Sequence, residues 1–329
     1  MGPQLKVEPP KPRPKPKGLG FAREVFFAGV LAELVNKTVL HPVDTIKARL
    51  QYMAASRTEK QPRLSRWPIV SDFRAGVRML RAEISPLRSL FAGLTPSLLG
   101  VVPVSMVYMP TYELSKAYMR DTALEGTPAP AVLTGTASAI VRVPVTVLKA
   151  RLQLKLHKDL WSAVTEATTQ KRGLRGLYVG LNAVLVLDVI YAAVQFACIE
   201  RMRAAAYRYQ FGRSPPREGA ENALGTGTNA AIGFATGMIT SLVTEPIDVI
   251  KTRLMAQRTA SGSGPTEGAY FGYRGVGHGL RRAVRAEGLV TLWRGSLPRL
   301  VIKASGSSLW FTTYMWFRKM LERPGDADR

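Results

Sequence analysis

The chain consists of long apolar stretches that are broken by single polar or charged residues and separated by polar loops. A helix needs about 20 residues to cross the hydrocarbon core of a membrane, and an isolated charge is tolerated there when it faces a protein interior or water. The pattern therefore predicts an all-α membrane protein with six transmembrane helices. They cover about residues 21–53, 90–120, 130–156, 177–209, 222–257 and 293–321.

Short amphipathic segments lie between the two long stretches in each third of the chain, at about residues 73–83, 160–169 and 274–286. In the first of them Arg74, Arg78 and Arg81 share one face, which is typical of a helix that lies on a membrane surface. Each third is thus predicted to fold as a long helix, a short surface helix and a second long helix.

One motif indicates that the three thirds are copies of a single unit. The segments PVDTIKARLQ, PVTVLKARLQ and PIDVIKTRLM begin at Pro42, Pro144 and Pro246, each 102 residues after the last. This period is too long for a solenoid repeat and fits a repeated pair of membrane helices. Each proline should kink or interrupt its helix. We predict three pseudosymmetric repeats at residues 21–122, 128–210 and 221–322.

The charge balance restricts the partners. The chain has 46 Lys+Arg against 23 Asp+Glu, a net charge of +23, which fits an anionic membrane or organellar environment. The basic residues are not interleaved with aromatic residues as in nucleic-acid-binding surfaces, so we expect no nucleic-acid partner. Residues 1–20 are rich in proline alternating with Lys or Arg and are predicted to form a disordered basic tail.

Residues typical of catalytic and metal centres are sparse. The single cysteine, Cys198, excludes an intrachain disulfide, and the three histidines lack metal-ligand spacing. The sequence contains no phosphate-binding loop, nucleophile elbow or zinc-protease motif. We therefore expect neither enzymatic activity nor a metal or cofactor.

An aromatic residue and a glycine recur where each even-numbered long helix begins, and the glycines are Gly93, Gly180 and Gly295. Free backbone amides at a helix start can bind the phosphate of a lipid. The aromatic residue can instead be an anchor at the membrane interface. Both interpretations remain open for these positions.

The repeated motifs resemble those of the mitochondrial carrier family. In that family P-x-[DE]-x-x-[KR]-x-[KR] occurs on each odd-numbered helix, followed by E-G…[FWY]-[KR]-G, an element that AEGLVTLWRG matches. The resemblance covers about residues 21–321. It implies the mitochondrial carrier fold, with six transmembrane helices in three repeats and short matrix surface helices, and a transporter that opens alternately to either side of a membrane.

The resemblance also implies a gate of ion pairs on the matrix side. In the family, the acid of one repeat pairs with the base of the next repeat. Carried over to this chain, Asp44 would pair with Lys149, and Asp248 would pair with Lys47. Such pairs must form and break during transport, so modest net strength suits them.

The second repeat departs from the motif of this gate. Thr146 stands where the acid belongs, so Lys251 is expected to lack its partner. Gln51 and Gln153 occupy the positions at which the family has a glutamine that braces the ion pairs, whereas the third repeat has Met255. We therefore expect two ion pairs of a possible three.

A second gate, on the cytoplasmic side, is implied by the family pattern [FY]-[DE]-x-x-[RK] on the even-numbered helices. The corresponding residues are Glu113 and Lys116, Glu200 and Arg203, and Arg318, whose repeat has Met315 in place of the acid. This gate is also expected to be incomplete.

Aligned positions in the middle of the spans differ between repeats, and an asymmetric substrate needs such asymmetric contacts. Asp188 is a lone carboxylate in the apolar run VLVLDVIYAAVQF, and charged residues inside a membrane are candidates for function. It could bind a substrate cation or pair with a neighbouring Lys or Arg. The predicted substrate-binding residues are Asp188, Lys303, Arg142, Lys37, Gln195, Tyr108 and Trp310.

Within the family the chain resembles the S-adenosylmethionine carriers, through IVRVP, GVVP, TYE and an acid followed by QF. Those carriers usually have Arg before this acid, where the chain has Leu187. The resemblance implies that Asp188 binds the α-amino group of the substrate. Lys303, Arg142 or Lys37 would face its carboxylate, and Trp310 or Tyr108 would meet its adenine or sulfonium.

These observations predict a carrier, which we expect to be a monomer with bound cardiolipin in the mitochondrial inner membrane or, alternatively, a plastid envelope. The favoured substrate is S-adenosylmethionine in exchange for S-adenosylhomocysteine. Because Leu187 replaces the arginine usual in the S-adenosylmethionine carriers, the alternative that the chain carries another amino acid or cationic metabolite remains open. The incomplete gates leave open a carrier-like membrane protein that does not transport.

Overall fold

A computed structural model describes residues 19–53, 78, 89–119, 122, 127–169, 173–212, 224–257 and 272–321. The helices are α1 Leu19–Met53, α2 Leu94–Leu99, α3 Val101–Tyr118, α4 Ala129–Gln153, α5 Leu160–Thr169, α6 Leu181–Phe211, α7 Thr226–Ala256, α8 Val276–Glu287 and α9 Ser296–Leu321, with 3₁₀ helices at Gly173–Tyr178 and Leu289–Trp293. The predicted all-α fold is confirmed. The N-terminal tail to residue 18 and most of the first surface segment lie outside the described residues.

The long helices form a closed ring. Within each repeat α1 contacts α2 and α3, α4 contacts α6, and α7 contacts α9. Between repeats α3 contacts α4, α6 contacts α7, and α9 contacts α1. The odd-numbered members α1, α4 and α7 also contact one another. We call the end where their C-terminal segments meet the converging end.

Four helical segments of the described chain are long and apolar enough to cross a membrane, namely Leu94–Tyr118, Ala129–Gln153, Gly173–Phe211 and Gly227–Ala256. The other two long helices are α1 and α9, with 35 and 26 residues. Charged residues interrupt the apolar stretches of α1 and α9, so the mean hydropathy of these two helices is too low to identify them as membrane spans. Their place in the ring is nevertheless the same as that of the other four, because each packs between two neighbours.

The repeated prolines lie inside the helices and do not end them. The helices that contain Pro42, Pro144 and Pro246 continue to Met53, Gln153 and Ala256. A proline has no N–H and leaves the carbonyl four residues earlier without its helical donor. For Pro246 that carbonyl belongs to Leu242, and the indole Nε1 of Trp293 donates to it at 3.1 Å.

Two of the three surface helices are described, and both were predicted within two residues of their bounds. Asp159 caps α5, since the amide of Ser162 donates to its Oδ1 at 2.7 Å. This hydrogen bond lowers the pKa of the exposed Asp159 carboxyl. On α8, Gly279 and Ala283 are buried, whereas Arg282 is exposed.

A buried arginine fixes α8 beneath the converging end. Arg253 on α7 is fully buried and forms two hydrogen bonds to Glu287, with Nη1 to Oε1 at 2.7 Å and Nη2 to Oε2 at 3.0 Å. Its Nε donates to the carbonyl of Gln51 on α1 at 3.0 Å, and its Nη1 to the hydroxyl of Tyr273 at 3.2 Å. One guanidinium thus joins α1, α7 and α8.

Replacing Glu287 with alanine should therefore destabilise the protein, because a buried guanidinium would lose its counter-charge. Breaking one side of a buried ion pair costs about 3 kcal/mol, so thermal unfolding in detergent should begin several degrees lower. Arg282→Gln, on the exposed face of the same helix, should unfold at the wild-type temperature. Equal unfolding temperatures for Glu287→Ala and wild type would contradict this role.

Candidate functional site

Ion pairs between different repeats occupy the converging end. The Asp44 carboxylate on α1 contacts the Lys149 ammonium on α4. Lys47, also on α1, places Nζ 2.5 Å from Oδ2 of Asp248 on α7. One helix therefore supplies an acid to one neighbour and a base to the other, which are the two pairings expected from the sequence.

Two glutamine side chains lie against these pairs. Gln153 Nε2 donates to Asp44 Oδ2 at 3.1 Å. Gln51 Nε2 donates to Asp248 Oδ2 at 3.2 Å, and its Oε1 accepts a hydrogen bond from Thr252 Oγ1 at 2.7 Å. Both glutamine side chains are buried, and each donates a hydrogen bond to the acid of an ion pair between repeats.

Lys251 does not pair with an acid of the second repeat, as expected, but it forms an ion pair within its own helix. Its Nζ lies 2.7 Å from Oδ1 of Asp248, three residues earlier on the same helix. Thr146, which stands where a third acid would be, donates its hydroxyl to the carbonyl of Arg142 at 2.8 Å. A lysine side chain is long enough to reach an acid on its own helix, and Asp248 therefore serves both Lys47 and Lys251.

A further buried ion pair was not found from the sequence. Glu245 on α7 is fully buried, and its Oε2 lies 3.0 Å from Nη1 of Arg299 on α9. Arg299 also donates to Thr244 Oγ1 at 3.0 Å, and its Nη1 lies 3.8 Å from Asp248 Oδ2. The available signal was an acid directly before Pro246 in an apolar stretch, because such an acid needs a partner inside the membrane.

The three glycines at the even-helix starts adopt the left-handed conformation, with φ of 81°, 85° and 86° for Gly93, Gly180 and Gly295. Each also lies close to the next repeat. A Cβ would lie 2.8 Å from the Lys149 carbonyl oxygen at Gly93, 3.0 Å from Met255 Cγ at Gly180, and 2.9 Å from Gln51 Cγ at Gly295. Both facts favour glycine, whether or not a lipid binds there.

Farther from the converging end, charged side chains cross between helices. Asp188 on α6 is not a lone carboxylate, because it contacts the guanidinium of Arg142 on α4. The two side chains keep 25% and 36% of their surface exposed, respectively, so a ligand can reach both. Lys303 on α9 places Nζ 4.8 Å from the ring centre of Tyr191, a distance typical of cation–π contact.

Two aromatic pairs lie at matching positions of α3 and α9. The rings of Tyr108 and Tyr112 stack with centres 6.3 Å apart, and those of Trp310 and Tyr314 with centres 5.1 Å apart. Repeat two has the half-buried Gln195 at this position. The aromatic surfaces therefore occur in two repeats of three, which makes the interior asymmetric.

Charged residues at the opposite end of the ring are less organised. Glu113, Lys116 and Glu200 are exposed, and none of them forms an ion pair with another described residue. Arg203 and Arg318 are partly buried. The structure therefore has its charge network at the converging end.

Comparison with known proteins agrees with this architecture. The family described as "Mitochondrial carrier protein" matches residues 21–123, 129–210 and 222–325. The chain belongs to the mitochondrial carrier family. Members of this family are transporters, so the chain is a multi-pass membrane transporter and not an enzyme.

Relatives in the family have several stated substrates. The chain is 33% identical over 293 residues to S-adenosylmethionine carrier 1, chloroplastic/mitochondrial, of Arabidopsis thaliana, covering 88% of this chain and 76% of the relative. It is 25% identical over 300 residues to the mitochondrial S-adenosylmethionine carrier protein of Xenopus tropicalis, covering 90% and 95%. It is also 27% identical over 304 residues to mitoferrin of Dictyostelium discoideum, covering 89% and 92%.

Replacing Gly295 with alanine should destabilise the conformation in which the converging end is closed. Alanine is strained at positive φ by about 1 kcal/mol, and its Cβ would displace Gln51 from the network. The unfolding temperature in detergent should fall. Gly233→Ala is the matched control, because Gly233 lies inside α7 with open space around its Cβ position, where alanine favours the helix. Equal effects of the two substitutions would contradict the close contact.

Proposed function

We propose that this carrier moves S-adenosylmethionine across an organelle inner membrane in exchange for S-adenosylhomocysteine. The observation that supports the proposal is the partly exposed Arg142–Asp188 pair between α4 and α6. An α-amino acid presents an ammonium and a carboxylate on one carbon. Asp188 would receive the ammonium and Arg142 the carboxylate, so that the ligand replaces one ion pair with two.

Leu187 does not weaken this proposal, although the S-adenosylmethionine carriers usually have arginine there. Leu187 is buried, and Asp188 keeps the guanidinium of Arg142, which lies in the shared IVRVP segment, beside it. An arginine thus remains beside the acid. The aromatic pairs at Tyr108 and Trp310 supply flat surfaces on which an adenine could stack. Gln195 and Lys303 are proposed to contact the remaining polar groups of the ligand.

The ion pairs at the converging end are proposed to close the matrix side in this conformation. Opening would separate Asp44 from Lys149 and Asp248 from Lys47, and the charged residues at the opposite end would then approach one another. Alternating access of this kind needs contacts of modest net strength, since a buried ion pair repays much of its Coulomb energy in lost hydration.

The membrane and lipid assignments are part of the proposal. Relatives are mitochondrial or chloroplastic by name, and we favour the mitochondrial inner membrane. Amides at the helix starts after Gly93, Gly180 and Gly295 would bind the phosphates of cardiolipin. The carrier would act as a monomer, because all six long helices of the ring come from one chain.

Thermal unfolding with a panel of metabolites tests the substrate. A ligand at 100 times its Kd stabilises the folded protein by about 2.7 kcal/mol, so S-adenosylmethionine and S-adenosylhomocysteine should raise the unfolding temperature. Asp188→Asn should lose most of this shift, because asparagine keeps the shape and removes the charge. Asp159→Asn, an exposed change of the same kind that still caps α5, should keep it.

Other outcomes of this experiment select another function. A shift with lysine or ornithine alone would indicate a carrier of another cationic amino acid. A protein that unfolds cooperatively and responds to no metabolite would favour a carrier-like membrane protein that does not transport. A full shift in Asp188→Asn would remove Asp188 from the site.

Restoring the absent acid should strengthen closure. Aspartate at position 146 would give Lys251 a partner on α4, as Asp44 gives Lys149 a partner on α1. Thr146→Asp should therefore raise the unfolding temperature, by about 1 kcal/mol of added stability, and slow exchange of substrate into proteoliposomes. Thr146→Asn is the control of similar size without the charge. Faster exchange by Thr146→Asp would contradict a gating role for these pairs.

A further inference from the structure

A second partly exposed ion pair joins two side chains of α1. Glu33 Oε1 lies 3.5 Å from Nζ of Lys37, one turn along α1. Both side chains keep about a third of their surface exposed, 36% and 35% respectively. This distance is longer than that of a close charged hydrogen bond, so the carboxylate of Glu33 is loosely held and accessible.

The geometry of α1 directs Glu33 towards the centre of the ring. Residues 4, 7 or 11 apart lie on one face of a helix with 3.6 residues per turn, and this places Glu33, Lys37 and Asp44 on a common face. Asp44 on that face contacts Lys149 of α4. Lys47, one turn beyond, contacts Asp248 of α7. Leu40, seven residues after Glu33 on the same face, packs against Gly306 of α9, so this face borders α9 as well as the two other odd-numbered helices.

Glu33 also lies at the same depth as Asp188. The pseudosymmetric equivalent of Glu33 in the second repeat is Gly135, since each lies nine residues before its repeat's proline. A Cβ on Gly135 would lie 3.7 Å from Oδ2 of Asp188. Two carboxylates from different repeats therefore occupy one layer of the ring.

An aromatic ring lies near the same layer. A Cβ on Gly306 of α9 would lie 3.1 Å from Leu40 Cδ1 and 3.7 Å from Asn36 Oδ1, which fixes where α9 passes α1. The helices are antiparallel, so Trp310, one turn beyond Gly306, reaches the level of Glu33. Trp310 stacks on Tyr314 and presents its other ring face outside that stack.

We propose that Glu33 is a specificity-determining residue that holds the second positive centre of the substrate, the sulfonium of S-adenosylmethionine. The inference rests on the proposed function. A sulfonium cannot donate an N–H or O–H hydrogen bond, and it is recognised by a carboxylate together with an aromatic face. Asp188 holds the α-ammonium, Glu33 with Trp310 holds the sulfonium, and Lys37 turns from Glu33 towards the ligand's carboxylate.

The two exchanged ligands test this role because they differ by one methyl group and one charge. S-adenosylhomocysteine has a neutral thioether where S-adenosylmethionine has the sulfonium. Kd values for both ligands would be measured by titration calorimetry on wild type, Glu33→Gln, Glu33→Asp and Asp159→Asn in detergent. The readout is the ratio of the two Kd values within each protein, which does not change with the fraction of protein that is folded.

Glu33→Gln should weaken binding of S-adenosylmethionine roughly threefold to fivefold relative to S-adenosylhomocysteine, as expected for the loss of one partly exposed charge contact. Glu33→Asp and Asp159→Asn should keep the wild-type ratio within about twofold. Raising the salt concentration should narrow the difference between wild type and Glu33→Gln, since exposed charge contacts are screened.

The outcomes separate the two levels of the proposal. If wild type binds both ligands and Glu33→Gln changes neither Kd, or changes both equally, the role of Glu33 is wrong and the proposed substrate stands. If wild type binds neither ligand, the proposed substrate is wrong, and the role of Glu33 fails with it. A selective loss of S-adenosylmethionine binding in Glu33→Gln alone supports both.

Discussion

The partly or fully buried charges at the converging end require the three odd-numbered helices to meet. An ion taken out of water must be paired and hydrogen-bonded, or it destabilises the fold by several kcal/mol. α1 satisfies this only by contacting α4 through Asp44 and α7 through Lys47. The left-handed glycines, which let each even-numbered helix begin against the next repeat, follow from the same requirement, because a side chain there would hold the helices apart.

The third contact between odd-numbered helices, that of α4 with α7, is formed by apolar side chains and not by an ion pair between repeats. Thr146 cannot pair with Lys251, and the glutamine of the other repeats is Met255. Here Val143, Val147 and Met255 form a buried apolar cluster with Val184 of α6. Replacing a buried ion pair by packed apolar groups is often neutral or stabilising. The loss of one acid therefore need not loosen the ring, but it changes how that contact responds to water and salt.

The fold could be predicted from the sequence because one motif occurs three times at equal spacing, and such repetition does not arise by chance. Three copies at one spacing identified the units, and the helices begin and end within a few residues of the predicted positions. The sequence did not predict ion pairs correctly when more than one partner lies within reach of a side chain. The pair of Lys251 with Asp248 on its own helix was not predicted. The sequence left open whether Asp188 binds a substrate cation or pairs with a neighbouring Lys or Arg, and the structure pairs it with Arg142. Glu245 was missed because its partner, Arg299, lies on a helix 54 residues away.

The ion pairs of Glu33 and Asp188 suggest how the proposed binding site could be both charged and stable when no ligand is bound. Each of these carboxylates is neutralised by a cation on the protein, so neither is left as an unpaired charge in a partly dry interior. A ligand with opposite charges on one carbon can exchange partners with such a pair without leaving a net charge behind. A ligand with only a positive charge would leave Arg142 without a counter-charge, and a ligand with only a negative charge would leave Asp188 without one. The proposed site would therefore favour zwitterions, because any other ligand leaves one partner of the pair unpaired. A second carboxylate in the same layer would extend that preference to a ligand with an additional positive centre.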